Sequence, residues 1–280
     1  MARVVAGAPG GETGAGARAG EGKKGKGKDR KERRRAEAAA ALAMEARVRA
    51  ARDGLNAAQA LAAFARFRPA GGAIGSEPLS LEFGLDWAGL GDTGAQGEVM
   101  ELLETNMAPH YGDDWDSQRA QKTAESRDPE ARYIIVRSEG GKLAGFVHYR
   151  FLVDDGIDVV YVYELQISTG AQRKGIGKLL LMCAELLARK ADLQGVLLTV
   201  HKQNTAAMGF YTKLKYAPAW TDPTALNPLG ADEYDYRILG KLWGEGVPSL
   251  APKKVLTASN HLAEQKKLHR KQNCTYASTF

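Results

Sequence analysis

Two cysteines in 280 residues, Cys183 and Cys274, are too few for a disulfide framework. One falls on the apolar side of a helical pattern and the other in the tail, so a reducing compartment is the natural inference. No apolar run reaches the length of a membrane span. The first twenty residues lack the apolar stretch of a secretory signal. An Arg-bearing, Ala/Gly-rich leader of the transit-peptide kind is opposed by Glu12 and Glu21. There is no internal repeat. What is present is 44% apolar and 26% charged, enough for one sizeable soluble domain with appendages. The formal charge of +6 is unevenly spread: residues 1–35 carry a net +7, residues 241–280 a net +5, and residues 36–240 a net −6. An acidic body favours a cationic substrate. The basic tails suit DNA, RNA or ribosomes, or serve solubility alone.

Residues 1–29 have no periodicity and read as a disordered basic tail. Strong helix formers follow up to the stop at Asp53-Gly54, with Leu42, Met44 and Val48 on a thin apolar stripe. A short helix over 57–67 with Leu61 and Phe64 on one face ends before Pro69. Residues 79–83 read as a strand and 98–110 as a helix burying Val99, Leu102, Leu103 and Met107. An acidic, aromatic patch follows at 111–116. Residues 132–137 and 143–153 read as antiparallel strands joined by a glycine-rich turn. Further on, 195–201 reads as a strand, 204–214 as a helix and 232–239 as a last strand. The stretch 217–230 contains three prolines and is a loop long enough to close over a substrate. Beyond residue 246 there is no core-forming pattern.

The most informative stretch is 158–187. About ten β-branched and aromatic residues lead into a polar turn, a basic Gly-x-Gly element, and an amphipathic helix. Gly175 and Gly177 let the backbone curl at the helix start, so unpaired N–H groups and the positive end of the dipole converge, with Arg173 and Lys174 adding charge. A pyrophosphate fits there. The alternative is a plain helix N-terminus with a solvated basic turn.

Gln172-Arg173-Lys174-Gly175-Ile176-Gly177 resembles the Gln/Arg-x-x-Gly-x-Gly signature of the GNAT acetyltransferases, whose loop binds the pyrophosphate of acetyl-CoA. The run from Asn204 to Tyr211 resembles the Asn-x-x-Ala-x-x-x-Tyr helix that borders the same cofactor. More narrowly, Tyr161-Val162-Tyr163-Glu164-Leu165-Gln166, Leu198-Thr199-Val200 and Thr105-Asn106-Met107 are similar to the N-terminal acetyltransferase D (NatD) family, which acetylates the α-amino group of histones four and two-A. The resemblance spans about residues 64–241. The order of strands and helices gives an α/β class. The resemblance implies the GNAT fold: a mixed, mostly antiparallel sheet splayed at its middle, acetyl-CoA in the split, helices on both sides, an N-terminal helical extension over 30–68, the domain over 69–243, and basic tails at 1–29 and 244–280.

By this resemblance Arg173, Lys174, Gly175, Ile176, Gly177 and Lys178 anchor the cofactor, mostly through backbone N–H. Main-chain groups of Leu165, Gln166 and Ile167 hold the pantetheine and acetyl carbonyl, and Asn204 completes the site, unless it serves only as a helix cap. Glu164 interrupts an apolar, aromatic strand, where desolvation raises its pKa toward that of a useful general base. The alternative is a strand-edge ion pair. An α-amino group, with a pKa of about 7.7–8.0 against about 10.4 for lysine, is roughly 3 kcal/mol easier to neutralise. Tyr211 stands where the family often keeps a proton-donating tyrosine, with packing as the other reading. Tyr111, Trp115, Tyr161, Tyr163 and Tyr236 match positions that wall a channel for a Ser-Gly-Arg-Gly N-terminus, although any one taken singly reads as core. Thr199 and Thr221 fall where polar contacts to the peptide belong. Leu152 stands opposite a family aspartate for the substrate's arginine, leaving Asp154 or Asp155 to serve. The expected partners are histone N-terminal peptides, with ribosome or nucleic-acid contact through the tails. The resemblance implies a monomer in cytoplasm and nucleus, without metal or membrane. The rivals are a GNAT acting on lysine side chains or small amines, and a catalytically idle binding module.

Overall fold

The computed structural model describes residues 21–67, 79–92 and 94–243, and leaves the side chains of 21–28, 66 and 67 aside. The expectations for residues 1–20, Pro69, Cys274 and the 244–280 tail lie outside the described residues. Eight strands form one sheet in the order β1-β2-β3-β4-β5-β6-β8-β7. They are β1 (Arg66–Phe67), β2 (Leu79–Leu85), β3 (Arg132–Arg137), β4 (Leu143–Asp154), β5 (Ile157–Ile167), β6 (Gly195–His201), β7 (Ala217–Pro218) and β8 (Tyr236–Leu242). All neighbours run antiparallel except β5 and β6. Every residue of β5 is buried, as expected of a central strand covered on both faces.

The helices are α1 (Glu21–Gly54), α2 (Ala57–Ala60), α3 (Trp87–Asp92), α4 (Ala95–Tyr111), α5 (Trp115–Ser126), α6 (Ile176–Lys190), α7 (Thr205–Lys213) and α8 (Pro223–Leu226). The chain divides at residue 43 into two units. Of the described residues the first holds the start of α1; the second, 44–280, holds the last turns of α1 and the sheet. One face of the sheet packs Val160, Val162, Leu165 and Ile167 of β5 against Leu180, Cys183 and Leu187 of α6, with Val48 and Ala51 of α1 joining the same core. Each such side chain contributes roughly 1.5–3 kcal/mol by leaving water. The opposite face is covered near β3 and β4 by α3, α4 and Trp115 of α5, and near β6 and β8 by the segment that carries Ala219, Trp220 and Tyr234.

Several local readings change. Residues 21–29, expected as part of a disordered tail, are helical in α1, and the last strand begins at Tyr236 rather than Asp232. Leu42 is 71% exposed, because the apolar stripe of α1 is used only in its last turns. The helix expected over 57–67 stops after α2, capped by Asn56, and its end pairs with β2 as an edge strand instead. The loop expected over 217–230 contains β7 and α8, and the last strand runs to Leu242. Helices α3 and α5 have no counterpart in the sequence reading.

The sheet opens at β5 and β6. Their parallel ladder joins only Val159–Val162 to residues 195–198. Residues 163–167 of β5 and 199–201 of β6 run on without a ladder between them, so the two strands part inside the fold. The expected splay is present.

Candidate active site

Beyond the open end of β5 the chain makes a short 3-10 turn at Thr169–Ala171 and enters α6 through Gly175. Gly175 has φ +86, a left-handed conformation that glycine adopts without steric cost. Arg173 adopts φ +61, which is unusual for a side-chain-bearing residue. The first intrahelical bond is Leu179 N–H to Gly175 C=O at 3.0 Å. The amides of Ile176, Gly177 and Lys178 precede it and point out of the helix end. They face a cavity of about 380 Å³ lined by Arg173, Gly175, Gly177, Thr205, Gly209 and Phe210. Lys178 and Lys213 add positive charge to its wall. Convergent amides, a helix dipole and cations form a donor set for a diphosphate.

The strand that leads into this turn carries an irregularity. His148 of β4 lies opposite Glu164, while Tyr149 lies opposite Val162, so Tyr163 is an extra residue on β5. Strict alternation would put Glu164 on the α6 face; the bulge turns it onto the same face as Tyr161 and Tyr163. There its carboxylate is 2% exposed. Oε1 accepts from Lys122 Nζ at 2.6 Å and Oε2 from Gln166 Nε2 at 2.9 Å. Asn106 of α4 in turn donates to Gln166 Oε1 and to the Ile167 carbonyl. Burial pushes the Glu164 pKa up, against the pull of Lys122, to about 7. Burial alone would lower the pKa of Lys122, but the carboxylates of Glu164 and Glu125 hold it above its ordinary value. The ammonium stays charged while the carboxyl titrates near neutrality.

Around this pair lies a cationic and aromatic stack. His148 is sandwiched between Tyr133 and Tyr163, with ring centroids 4.9 and 5.1 Å apart. Burial, with Arg150 and Lys122 nearby, keeps the imidazole neutral. The Arg150 guanidinium sits 4.1 Å from the Tyr163 ring centre and donates to Asp128 and to the Glu125 carbonyl. Tyr161 contacts Tyr163, and its hydroxyl shares a 2.6 Å hydrogen bond with Thr199. Tyr236 completes this buried wall. At its far end Thr221 donates to Asp154 at 3.4 Å. The neighbouring Asp222, fully buried, accepts from Arg237 and from Ile238 N–H, which fastens the segment to β8.

Residues 98–216 match the model of the acetyltransferase (GNAT) family. The match supports a GNAT acetyltransferase domain over residues 98–216, which is less than half of the chain. GNAT acetyltransferases use acetyl-CoA as co-substrate, and the amide-and-cation cradle at the start of α6 fits its diphosphate. The GNAT domain is similar to mycothiol acetyltransferase from Nocardia farcinica, 34% identical over 129 residues, which is 44% of this chain and 43% of that protein. The chain thus aligns with less than half the length of that curated relative. Among solved structures it matches paia N-acetyltransferase from Thermoplasma acidophilum in complex with coenzyme A, at 20% identity and TM-score 0.44, covering 59% of this chain and 99% of that one. It also matches a GNAT-family acetyltransferase from Listeria monocytogenes, at 12% identity and TM-score 0.43, covering 61% and 98%.

Within the GNAT domain the residues singled out from sequence fall into three groups. Ile167 and residues 172–178 line the cavity, except that Lys174 stands beside it. Leu165 faces the α6 core, and Gln166 is part of the Glu164 network. Asn204 caps α7, accepting from Ala207 N–H at 3.0 Å, and precedes Thr205 and Ala206 of the cavity wall in the chain. Tyr211 is 0% exposed among core residues beside Tyr216, while its neighbour Phe210 lines the cavity. Asp154, Tyr161, Tyr163, Thr199, Thr221 and Tyr236 share the sheet face that bears Glu164. Tyr111 reaches that region edge-on to His201, 5.4 Å between ring centres. Trp115 packs instead between α4 and α5, with its indole N–H on Glu104. Lys122, Glu125, His148 and Arg150 went unnoticed in the sequence. His148 and Arg150 sit two apart with Phe146 in an apolar strand, a period-two signal that was there to be read.

Proposed function

We propose that the protein transfers an acetyl group from acetyl-CoA to a primary amine, with Glu164 as general base, and that the amine is the α-amino group of a protein N-terminus. The observation that carries this reading is the buried Glu164 carboxylate where β5 and β6 part, with its pKa at about 7. Such a base takes a proton from an α-ammonium of pKa about 7.7–8.0 at a cost of roughly 1 kcal/mol, against about 4.6 kcal/mol from a lysine of pKa about 10.4. The site therefore favours α-amines or other weakly basic amines over lysine side chains.

Acetyl-CoA supplies the activated acetyl group. The chain's part is to hold and orient. The amides of residues 176–178, with Arg173, Lys174 and Lys178, take the diphosphate, and Leu165, Gln166 and Ile167, which run past the end of the β6 ladder, border the pantetheine arm. Glu164 accepts the amine proton, directly or through one water. Burial among Tyr161, Tyr163 and His148 keeps bulk water from competing for the thioester.

The finer reading is the Ser-Gly-Arg-Gly start shared by histones four and two-A. Its support is the tyrosine wall of Tyr161, Tyr163 and Tyr236, with Asp154 at the far end to receive an arginine. A second reading, a small-molecule amine, draws on the similarity to mycothiol acetyltransferase. The test is to incubate the protein with acetyl-CoA and three acceptors: a peptide beginning Ser-Gly-Arg-Gly, the same peptide N-terminally blocked with its lysines free, and a small amino sugar. Mass spectrometry then locates the acetyl group. Modification of the free N-terminus alone supports the proposal. Acetylation of the amino sugar alone moves the reading to small molecules, and acetylation of the blocked peptide contradicts the α-amine preference.

A further inference from the structure

Lys122 is a lysine with almost no access to water, on a helix whose other polar residues are mostly exposed or half-buried. Its Nζ lies 2.6 Å from Glu164 and 3.6 Å from Glu125 Oε2, so one ammonium stands between two buried carboxylates. Lys122 and Glu125 are three residues apart on α5 and share a face. The α5 backbone is fixed there: Arg150 holds the Glu125 carbonyl at 2.7 Å, and the Tyr133 hydroxyl holds the Ser126 carbonyl at 2.8 Å. Gln121 holds the other oxygen of Glu125 at 3.0 Å. A shift of about 1 Å at the end of a lysine side chain therefore exchanges one carboxylate for the other without moving the helix.

We propose that Lys122 is a positioning residue that changes partner during turnover: it holds Glu164 as a carboxylate in the resting protein and passes to Glu125 when Glu164 takes up the substrate's proton. This rests on Glu164 being the base. The protonic balance is simple. One proton leaves the amine and arrives on Glu164, whose charge goes from −1 to 0; the amine nitrogen bonds the acetyl carbon as its C–S bond breaks, the coenzyme A thiolate leaves and takes a proton from solvent, and Glu164 gives its proton back to solvent before the next turnover. Lys122 keeps its own proton throughout. A buried ammonium facing a neutral carboxyl would be stranded, and a second carboxylate within reach removes that penalty. The other groups facing the pair are His148 and Arg150 on β4, Tyr133 on β3, and His201 on β6, whose pKa burial lowers to about 4. Neither histidine gains charge in the neutral range, and Arg150 is already committed to Asp128, Tyr163 and the Glu125 carbonyl.

Two near-isosteric variants make opposite demands. Lys122→Met removes the cation, so the acid limb of kcat against pH moves up by about one unit or more, activity at pH 7 falls about fivefold or more, and Lys122→Arg restores the limb at least in part. Glu125→Gln removes a repelling charge and leaves Lys122 on Glu164, so the limb moves to lower pH while kcat falls and the acetyl-CoA KM stays put. Fixed charges alone displace the two limbs in opposite directions, so the discriminating readout is the kcat plateau above the limb: a plateau lowered in Glu125→Gln supports the partner exchange, and an unchanged plateau overturns it. Limbs that stay in place in both variants, or move the same way, overturn it. If Lys122→Met does not fold, the kcat plateau of Glu125→Gln decides alone. Glu164→Gln separates the two claims. A wild-type limb surviving in Glu164→Gln overturns both the base and the exchange, whereas a limb lost there but unmoved by the other two variants overturns the exchange only.

Discussion

A carboxyl that titrates near pH 7 imposes a definite shape on the activity profile. With a pKa of about 7, Glu164 is ionised in about one molecule in eleven at pH 6, half at pH 7 and ten in eleven at pH 8. With acceptor and acetyl-CoA both saturating, kcat should rise about fivefold from pH 6 to 7 and less than twofold from pH 7 to 8. A thiol-release assay across pH 5.5–9 reads this directly. A profile flat from pH 6 to 8 refutes the reasoning. The same shift has a stability consequence with a fixed sign. The folded pKa lies above the unfolded value of 4.5, so the contribution is fully present below about pH 4.5 and is lost as pH rises through 7. The loss is on the order of 3 kcal/mol at most. In Glu164→Gln the fall in urea midpoint between pH 5 and 8 should be smaller than in the wild type.

Other consequences follow from single contacts. Gly175→Ala places a side chain at φ +86, which costs about 1–2 kcal/mol and distorts the amide cradle, so coenzyme A affinity measured by calorimetry should drop at least tenfold; unchanged affinity excludes the cradle as the anchor. Arg47 holds the fully buried Asp158 at 2.6 Å, tying the last turns of α1 to the start of β5. Arg47→Ala should cost about 2 kcal/mol, less than a fully buried pair because the arginine is one-third exposed, and lower Tm by roughly 4–8 °C; a change below 1 °C contradicts the docking. Tyr211→Phe should leave kcat within about twofold, since the ring packs beside Tyr216 in the core; a large loss that deepens at high pH would instead mark the hydroxyl as the proton donor.

The β5-turn-α6 unit was legible in the sequence because three independent signals coincide there: a β-branched run, a Gly-x-Gly with basic neighbours, and helical spacing of Leu179, Leu180, Cys183 and Leu187. β3 and β6 were legible to the residue for similar reasons. Helix α5 was not. After Trp115 it has only alanines for apolar residues, and its buried face is made by Lys122, Glu125 and Ser126, which local pattern assigns to solvent. Glu164 lies on the face of Tyr163 for a reason the sequence does not contain. Alternation alone turns its side chain away from Tyr163, and only pairing with β4 reveals the bulge that brings both to one face. Leu42 failed in the opposite sense. Helical spacing shows which residues share a stripe, not how far along the helix the stripe is used.

The central claim is that Glu164 acts on the acceptor's proton and not on cofactor binding. The most direct measurement sets kcat and acetyl-CoA affinity of Glu164→Gln beside those of the unaltered protein, using whichever acceptor is turned over. The account predicts an acetyl-CoA Kd within about twofold and a kcat lowered about 100-fold or more. Retained turnover, or equal losses in both quantities, would contradict it.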